Sequence, residues 1–252
     1  MSTAFKQVRE FHNVMGHPCN DTLQLNVFTE NSSLANLRLN LICEELSELL
    51  EAISEKDFVE IADALADIRY VVVGTFLALG YDVSTKMDLL ETKIPETYGQ
   101  YSYKLYVEPD NVNLDTANPD IGPFLEYWYE KFATYHQMVK DSFYLKKFKL
   151  IKWVLLELCG DMQDFSNCLG MDLEKIFNEV HRSNMTKVCT TEEEACEAVK
   201  ELKESGKCNS AGYKKSSCDK FYLIYNVETG KALKSLKFEL PQIAEILGLQ
   251  QP

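Results

Sequence analysis

The chain has 252 residues, 46% of them apolar, which is enough to bury a full core without disulfides or a structural metal. Its formal charge of −13 argues against a polymeric nucleic acid as partner, because such binding needs a basic face to displace phosphate counterions. A small nucleotide complexed with a metal stays compatible with that charge, since the metal brings positive charge of its own.

Along the chain, residues 1–20 contain no apolar core of a secretory signal, so none is expected. Phe5 to Val14 reads as a short amphipathic helix that stops near Gly16 and Pro18. Asn31 or Ser32 caps a long helix over about Leu34 to Ile53, whose apolar positions Leu37, Leu41, Ile42, Leu46, Leu49, Leu50 and Ile53 follow helical spacing. A break at Ser54-Glu55-Lys56-Asp57 precedes a second helix, Phe58 to about Leu79, ended by Gly80. The longest apolar stretch, Tyr70 to Tyr81, is about half of what a membrane span needs, so no membrane partner is expected. Pro95, Pro109, Pro119 and Pro123 punctuate a polar linker. Phe124 to Lys140 and Lys149 to Cys168 read as two further helices, the latter ended by Leu169-Gly170. Thr190 opens a charged helix through a Thr-x-x-Glu box to Glu193, and Phe221 to Val227, Gly230 and Ala232 to Phe238 read as a β-hairpin. The expected organisation is residues 1–94, a linker over 95–123, a second half over 124–188, and a helix-and-hairpin appendage over 189–252.

The eight cysteines, without a signal peptide, read as free thiols of a reducing cytoplasm. Cys189, Cys196, Cys208 and Cys218 cluster in sequence but include no C-x-x-C pair and no nearby histidine, so a zinc site is not expected there.

A faint repeat lies inside this layout. Leu79-Gly80-Tyr81-Asp82 recurs as Leu169-Gly170-Met171-Asp172, an offset of 90 residues that also aligns Ile61 with Ile151 and Leu65 with Leu155. The helix–break–helix order on both sides points to duplication.

The carboxylates carry the chemistry. Glu44, Glu45 and Glu48 sit at helical spacing, so Glu45 and Glu48, three apart, share a face, and Glu44 and Glu48, four apart, do too. Glu60, Asp63 and Asp67 fall within about 60° of one another on their helix, forming a stripe in an otherwise apolar sequence. An isolated acid triplet is a solvated face; two acid sets on consecutive helices, one of them this apolar, point to a cation between them. Packing carboxylates together is unfavourable unless cations compensate them, and magnesium prefers such oxygen donors.

The pattern E-E-x-x-E followed by E-x-x-D resembles the signature of the all-α nucleotide pyrophosphohydrolase superfamily. That group comprises the MazG-like enzymes, the phosphoribosyl-ATP pyrophosphohydrolases and the dimeric dUTP and dCTP pyrophosphatases. The runs Glu60 to Thr75, Ile176 to Lys187 and Gly230 to Lys234 are similar to the phosphoribosyl-ATP-pyrophosphohydrolase-like branch. The resemblance implies a mainly α helical bundle, magnesium (with manganese as a substitute), and cleavage between the α- and β-phosphates of a nucleotide. By position it assigns Glu45, Glu48, Glu60 and Asp63 as metal carboxylates and Glu44 as the extra acid that holds a further ion or orients the attacking water, with Glu44 and Glu45 as the catalytic pair. It leaves Asp63 and Asp67 able to exchange roles, because Asp67 precedes an Ile-Arg-Tyr like that after the family's aspartate. Two departures stand out: a short gap between Glu48 and Glu60, and a linker inserted after Asp82. Arg182, Asn184 and Lys187 are candidate nucleotide contacts, two for phosphate oxygens and one for a base edge.

At the 90-residue offset, Glu44, Glu45, Glu48, Glu60 and Asp63 become Thr134, Tyr135, Met138, Leu150 and Trp153, and only Asp67 meets an acid, Glu157. The second half is therefore expected to be a degenerate copy that completes the bundle, leaving one working site per chain, as a pseudo-two-fold monomer or in a homodimer. A di-iron protein would want Glu-x-x-His pairs, and no histidine lies between His17 and His136. Phosphoribosyl-ATP hydrolysis and a silent nucleotide-binding role are the remaining alternatives. His12, His17 and His136 show no partner pattern.

Overall fold

The computed structural model describes residues 3–82 and 121–249. In chain order these form α1 (Thr3–Met15), α2 (Val27–Glu30), α3 (Ser32–Glu55), α4 (Phe58–Leu79), α5 (Ile121–Tyr144), α6 (Phe148–Cys168), α7 (Leu173–Met185), α8 (Glu192–Glu204), β1 (Ala211–Lys215), β2 (Tyr222–Asn226), β3 (Ala232–Leu233) and α9 (Ile243–Ile246). The architecture is mainly α, as the sequence implies. Of the linker expected over 95–123, all but the last three residues lie outside the described residues. No helix among the described residues is long and apolar enough to cross a membrane. All eight cysteines are free thiols.

The chain divides into two compact units, residues 20–177 with 243–252, and residues 1–19 with 178–242. The first is the helical bundle. α3 packs on α4 and on α5, α5 packs on α6, and α4 packs on α6, with α2 against α3 and α9 against α4. Its core joins Ile42, Leu46, Leu49, Ile61, Leu65 and Ile68 to Phe124, Trp128, Phe132 and Phe165, all fully buried. α4 buries nearly all of its circumference, which explains why its sequence is apolar on almost every side.

The helix hairpins α3–α4 and α5–α6 are the same backbone device written twice. The sharp turn is made by Lys56 in one and Lys146 in the other, both left-handed at φ 59° and 55°. Asp57 and Lys147 follow as N-caps with φ, ψ of −88°, 99° and −99°, 99°. Asp57 N donates to Ala52 O at 3.0 Å and Lys147 N to Ser142 O at 3.4 Å. At the far ends, Tyr81 N donates to Phe76 O at 2.9 Å and Met171 N to Ser166 O at 2.8 Å. Each of these pairs is separated by the 90-residue offset found in the sequence. The pairing of first helix with first (α3, α5) and second with second (α4, α6) is what a two-fold relation between the hairpins requires.

One difference separates the two ends. The segment before α2 crosses the end of α4, where Asn20 N donates to Leu77 O at 2.9 Å, Gln24 N to Leu79 O at 2.9 Å, and the Asn20 amide to Ala78 O at 2.6 Å. Carbonyls left open at a helix C-terminus are thereby satisfied. Gly80, left-handed at φ 71°, lies so close that an added Cβ would stand 1.9 Å from Thr22 O, whereas one on Gly170 would meet nothing within 4 Å.

In the second unit α8 covers a three-stranded antiparallel sheet of order β1-β2-β3. The hairpin expected from sequence is β2 and β3, with β3 reduced to two residues. β1 is a strand without a sequence signal: Ala-Gly-Tyr-Lys-Lys has no apolar alternation and is held by its register with β2, Ala211 opposite Asn226 through Lys215 opposite Tyr222. The helix cap also moves by one residue. Thr191, not Thr190, is the N-cap and its side chain accepts from Glu194 N, while the Glu194 carboxylate accepts from Thr190 N and Oγ1, each at 2.9 Å.

Candidate active site

The acids of α3 and α4 are positioned by the hairpin turn. The Asp57 carboxylate accepts from Val59 N at 3.0 Å and Glu60 N at 3.1 Å, fixing the start of α4 and with it the phase of its acidic stripe. Glu45, half-buried on α3, feels the α4 acids Asp63 and Asp67, themselves half-buried. Burial first, and then the charges of Asp67, Glu48, Asp63 and Glu44, push the Glu45 carboxyl up to about 8. Five of the six expected carboxylates thus share one electrostatic neighbourhood. Glu60 is exposed at the first turn of α4 and is not among the charges that act on Glu45.

The donor set fits a hard divalent cation: all candidate ligands are carboxylate oxygens, and the repulsion that raises Glu45 is what a doubly positive ion would remove. Among the described residues no three His, Cys, Asp or Glu side chains are already gathered around one ion-sized point. The acids form a charged region whose side chains would have to turn inward to complete a coordination sphere.

A second feature was not visible in the sequence. Glu44 and Glu48, with Glu51, also line an open cleft of about 470 Å³ whose opposite wall, on α5, carries His136 and Lys140. Lys140 Nζ lies 3.5 Å from His136 Nδ1. Burial, and then Lys140, hold His136 below the usual imidazole range, and a hydrogen bond with the Cys43 backbone opposes them. The Glu44-Glu48-Glu51 stripe at helical spacing could have signalled this second acidic face; His136 and Lys140 carry no local motif.

Under the 90-residue offset the counterpart of Glu45, Tyr135, is buried and donates from its hydroxyl to Asp161 Oδ2 at 2.5 Å, while Lys131 Nζ binds Asp161 Oδ1 at 2.7 Å. Met138 is buried and Trp153 half-buried where the first hairpin has Glu48 and Asp63. At these matching positions the second hairpin therefore has Asp161 paired with a lysine and a tyrosine in place of a cluster.

Arg182, Asn184 and Lys187 belong to the other compact unit. Arg182 is occupied by Glu179, with contacts of 2.9 and 2.7 Å, and by Glu239 at 2.5 Å. Lys187 Nζ donates to the buried Asn184 Oδ1 at 2.5 Å. Glu179 also accepts from Gln242 N at 2.9 Å, so these side chains tie α7 to the segment after β3.

Comparison with known proteins bears on the same region. The family described as phosphoribosyl-ATP pyrophosphohydrolase matches residues 8–93, which contain every acid of the cluster. The chain is also similar to the uncharacterized protein L479 of Acanthamoeba polyphaga mimivirus, 33% identical over 249 residues that cover 98% of this chain and 96% of the viral one. No solved structure matches. A carboxylate-bearing helix hairpin inside the matched segment, set in a mainly α bundle, identifies the chain as a member of the MazG-like all-α nucleotide pyrophosphohydrolases of the phosphoribosyl-ATP pyrophosphohydrolase-like branch.

Proposed function

We propose that the chain is a magnesium-dependent nucleoside triphosphate pyrophosphohydrolase, cleaving between the α- and β-phosphates of a ribo- or deoxynucleotide to release the monophosphate and pyrophosphate. The observation that carries this reading is the set of acids on α3 and α4, Glu44, Glu45, Glu48, Glu60, Asp63 and Asp67, all inside the segment that matches the family. Glu45, Glu48, Glu60, Asp63 and Asp67 would hold magnesium, or manganese in its place. Bound there, the ion supplies positive charge to the phosphate oxygens as negative charge develops on them.

The chain's own part is to position and to take a proton. Glu44, exposed beside Glu45, orients a water in line with the α-phosphorus and accepts its proton. The new P–O bond forms as the bond to the bridging oxygen breaks, and pyrophosphate leaves with that electron pair. One working site per chain is expected, in a monomer or a homodimer, and the free thiols fit a reducing cytoplasm. A second reading, phosphoribosyl-ATP as substrate, is favoured by the matched family's description; a substrate panel separates the two.

Turnover in heavy-oxygen water tests the chemistry. The label is expected on the nucleoside monophosphate, with pyrophosphate as the other product. Label in free orthophosphate beside a diphosphate product would overturn the assignment.

A further inference from the structure

The acidic cleft does not end at Lys140. The same side chain lines a neighbouring cavity of about 600 Å³, walled by Phe28 of α2, Asn36 of α3, and Asp141, Phe143 and Tyr144 of α5. Its volume is that of a small-molecule site. The two spaces meet at one cation, acidic on one side and aromatic on the other. We propose that the cavity binds the base and sugar of the nucleotide whose phosphates lie at the acidic end, an inference that rests on the pyrophosphohydrolase reading.

Dimensions, chemistry and exposure support this. Asn36 precedes Glu44 by eight residues on one helix, about 12 Å at 1.5 Å per residue, which matches the reach from a base to its outer phosphates. A base is recognised by stacking on a ring and by a group that both donates and accepts, and Tyr144 and Asn36 supply these. Tyr144 is 84% exposed, a large aromatic side chain contributing little to the core and available as a stacking platform. Asp141 accepts from Gln137 at 2.8 Å and keeps oxygens for sugar hydroxyls. Lys140, between base and acids, stands where the phosphate chain would cross. The degenerate repeat then has a use beyond filling the bundle: its α5 provides the wall that selects the base.

Calorimetric titration of the full chain in magnesium tests this, with nucleoside monophosphates and inorganic pyrophosphate as separate probes. Tyr144→Ala is expected to weaken monophosphate binding about tenfold and to leave pyrophosphate within about twofold. Asn36→Leu is expected to change the order of preference among the bases, and Lys140→Met to weaken both probes. All three side chains are exposed, and far-ultraviolet dichroism verifies that the variants keep their helices. If the wild type binds pyrophosphate while Tyr144→Ala and Asn36→Leu leave monophosphate affinity and base order unchanged, the base lies elsewhere and only this proposal falls. If the wild type binds neither probe and cleaves no triphosphate, the pyrophosphohydrolase reading falls and takes this proposal with it.

Discussion

The two helix hairpins share a backbone and differ in what they place between their helices. The turns, caps and terminal hydrogen bonds of α3–α4 and α5–α6 match pair by pair at a 90-residue spacing. Yet where α3 carries the buried Arg38, donating to Thr75 Oγ1 at 3.1 Å and Val71 O at 2.6 Å, α5 carries Trp128, its ring centroid 4.9 Å from that of Phe165. Where the first hairpin crowds acids around Glu45, the second has Tyr135 and Lys131 closing on one aspartate. The turn chemistry specifies a hairpin whatever the interior holds, so acids in one and aromatic packing in the other leave the same backbone shape. In the first hairpin that leaves the Glu45 carboxyl raised by burial and by its neighbouring acids.

The comparison breaks first at the site. Asp63→Asn is expected to lower turnover at least a hundredfold, about 2.7 kcal/mol of barrier, because the amide keeps the shape and removes the anionic donor. Trp153→Phe, at the matching position of the second hairpin, should change the rate less than about threefold. Steady-state rates on a triphosphate check both, and an Asp63→Asn variant retaining a tenth of wild-type rate would remove Asp63 from the machinery.

Stability should respond the other way round. Trp128 is fully buried among Phe124, Phe132 and Phe165, so Trp128→Ala is expected to cost about 3–5 kcal/mol in urea unfolding. A loss under about 1 kcal/mol would mean that the aromatic core of the second hairpin is not what holds it.

The smallest of these effects is the most specific. Glu45 has a folded-state pKa near 8, above its ordinary value of 4.5, so folding favours the neutral form. Its favourable contribution is complete below about pH 4.5 and disappears as pH rises through 8. In chelator, the wild type should lose stability between pH 5 and pH 9 relative to Glu45→Gln, by on the order of 2 kcal/mol, and added magnesium should shrink the gap. Urea midpoints for both proteins at the two pH values measure it; parallel curves would show that the acids do not crowd Glu45.

Most of the bundle was legible because its signals are local. Asp57 before Phe58 and Gly80 after Leu79 mark both ends of α4 by capping chemistry, and the structure starts and stops the helix there. β1 was not legible, since Ala211 to Lys215 becomes a strand only by pairing with β2. The cluster around Glu45 could be inferred from helical phase alone. That same phase argument put Glu60 beside Asp63 and Asp67, but a first-turn position left Glu60 in solvent. The wall formed by His136 and Lys140 was out of reach because it comes from a helix some 90 residues later, through packing that no short-range pattern encodes.

Gly80 and Gly170 end equivalent helices, and their different surroundings set unequal limits on how the two copies can drift. At 170 any residue tolerant of a left-handed backbone would serve; asparagine would be a modest change. At 80 the same replacement would also push its Cβ into the Thr22 carbonyl and lift residues 20–24 off the end of α4. Those residues lead directly into α2 and Phe28, so a side chain at 80 would disturb the approach to the aromatic cavity. In a collection of diverged sequences, position 80 should read as a fixed letter and position 170 as a variable one.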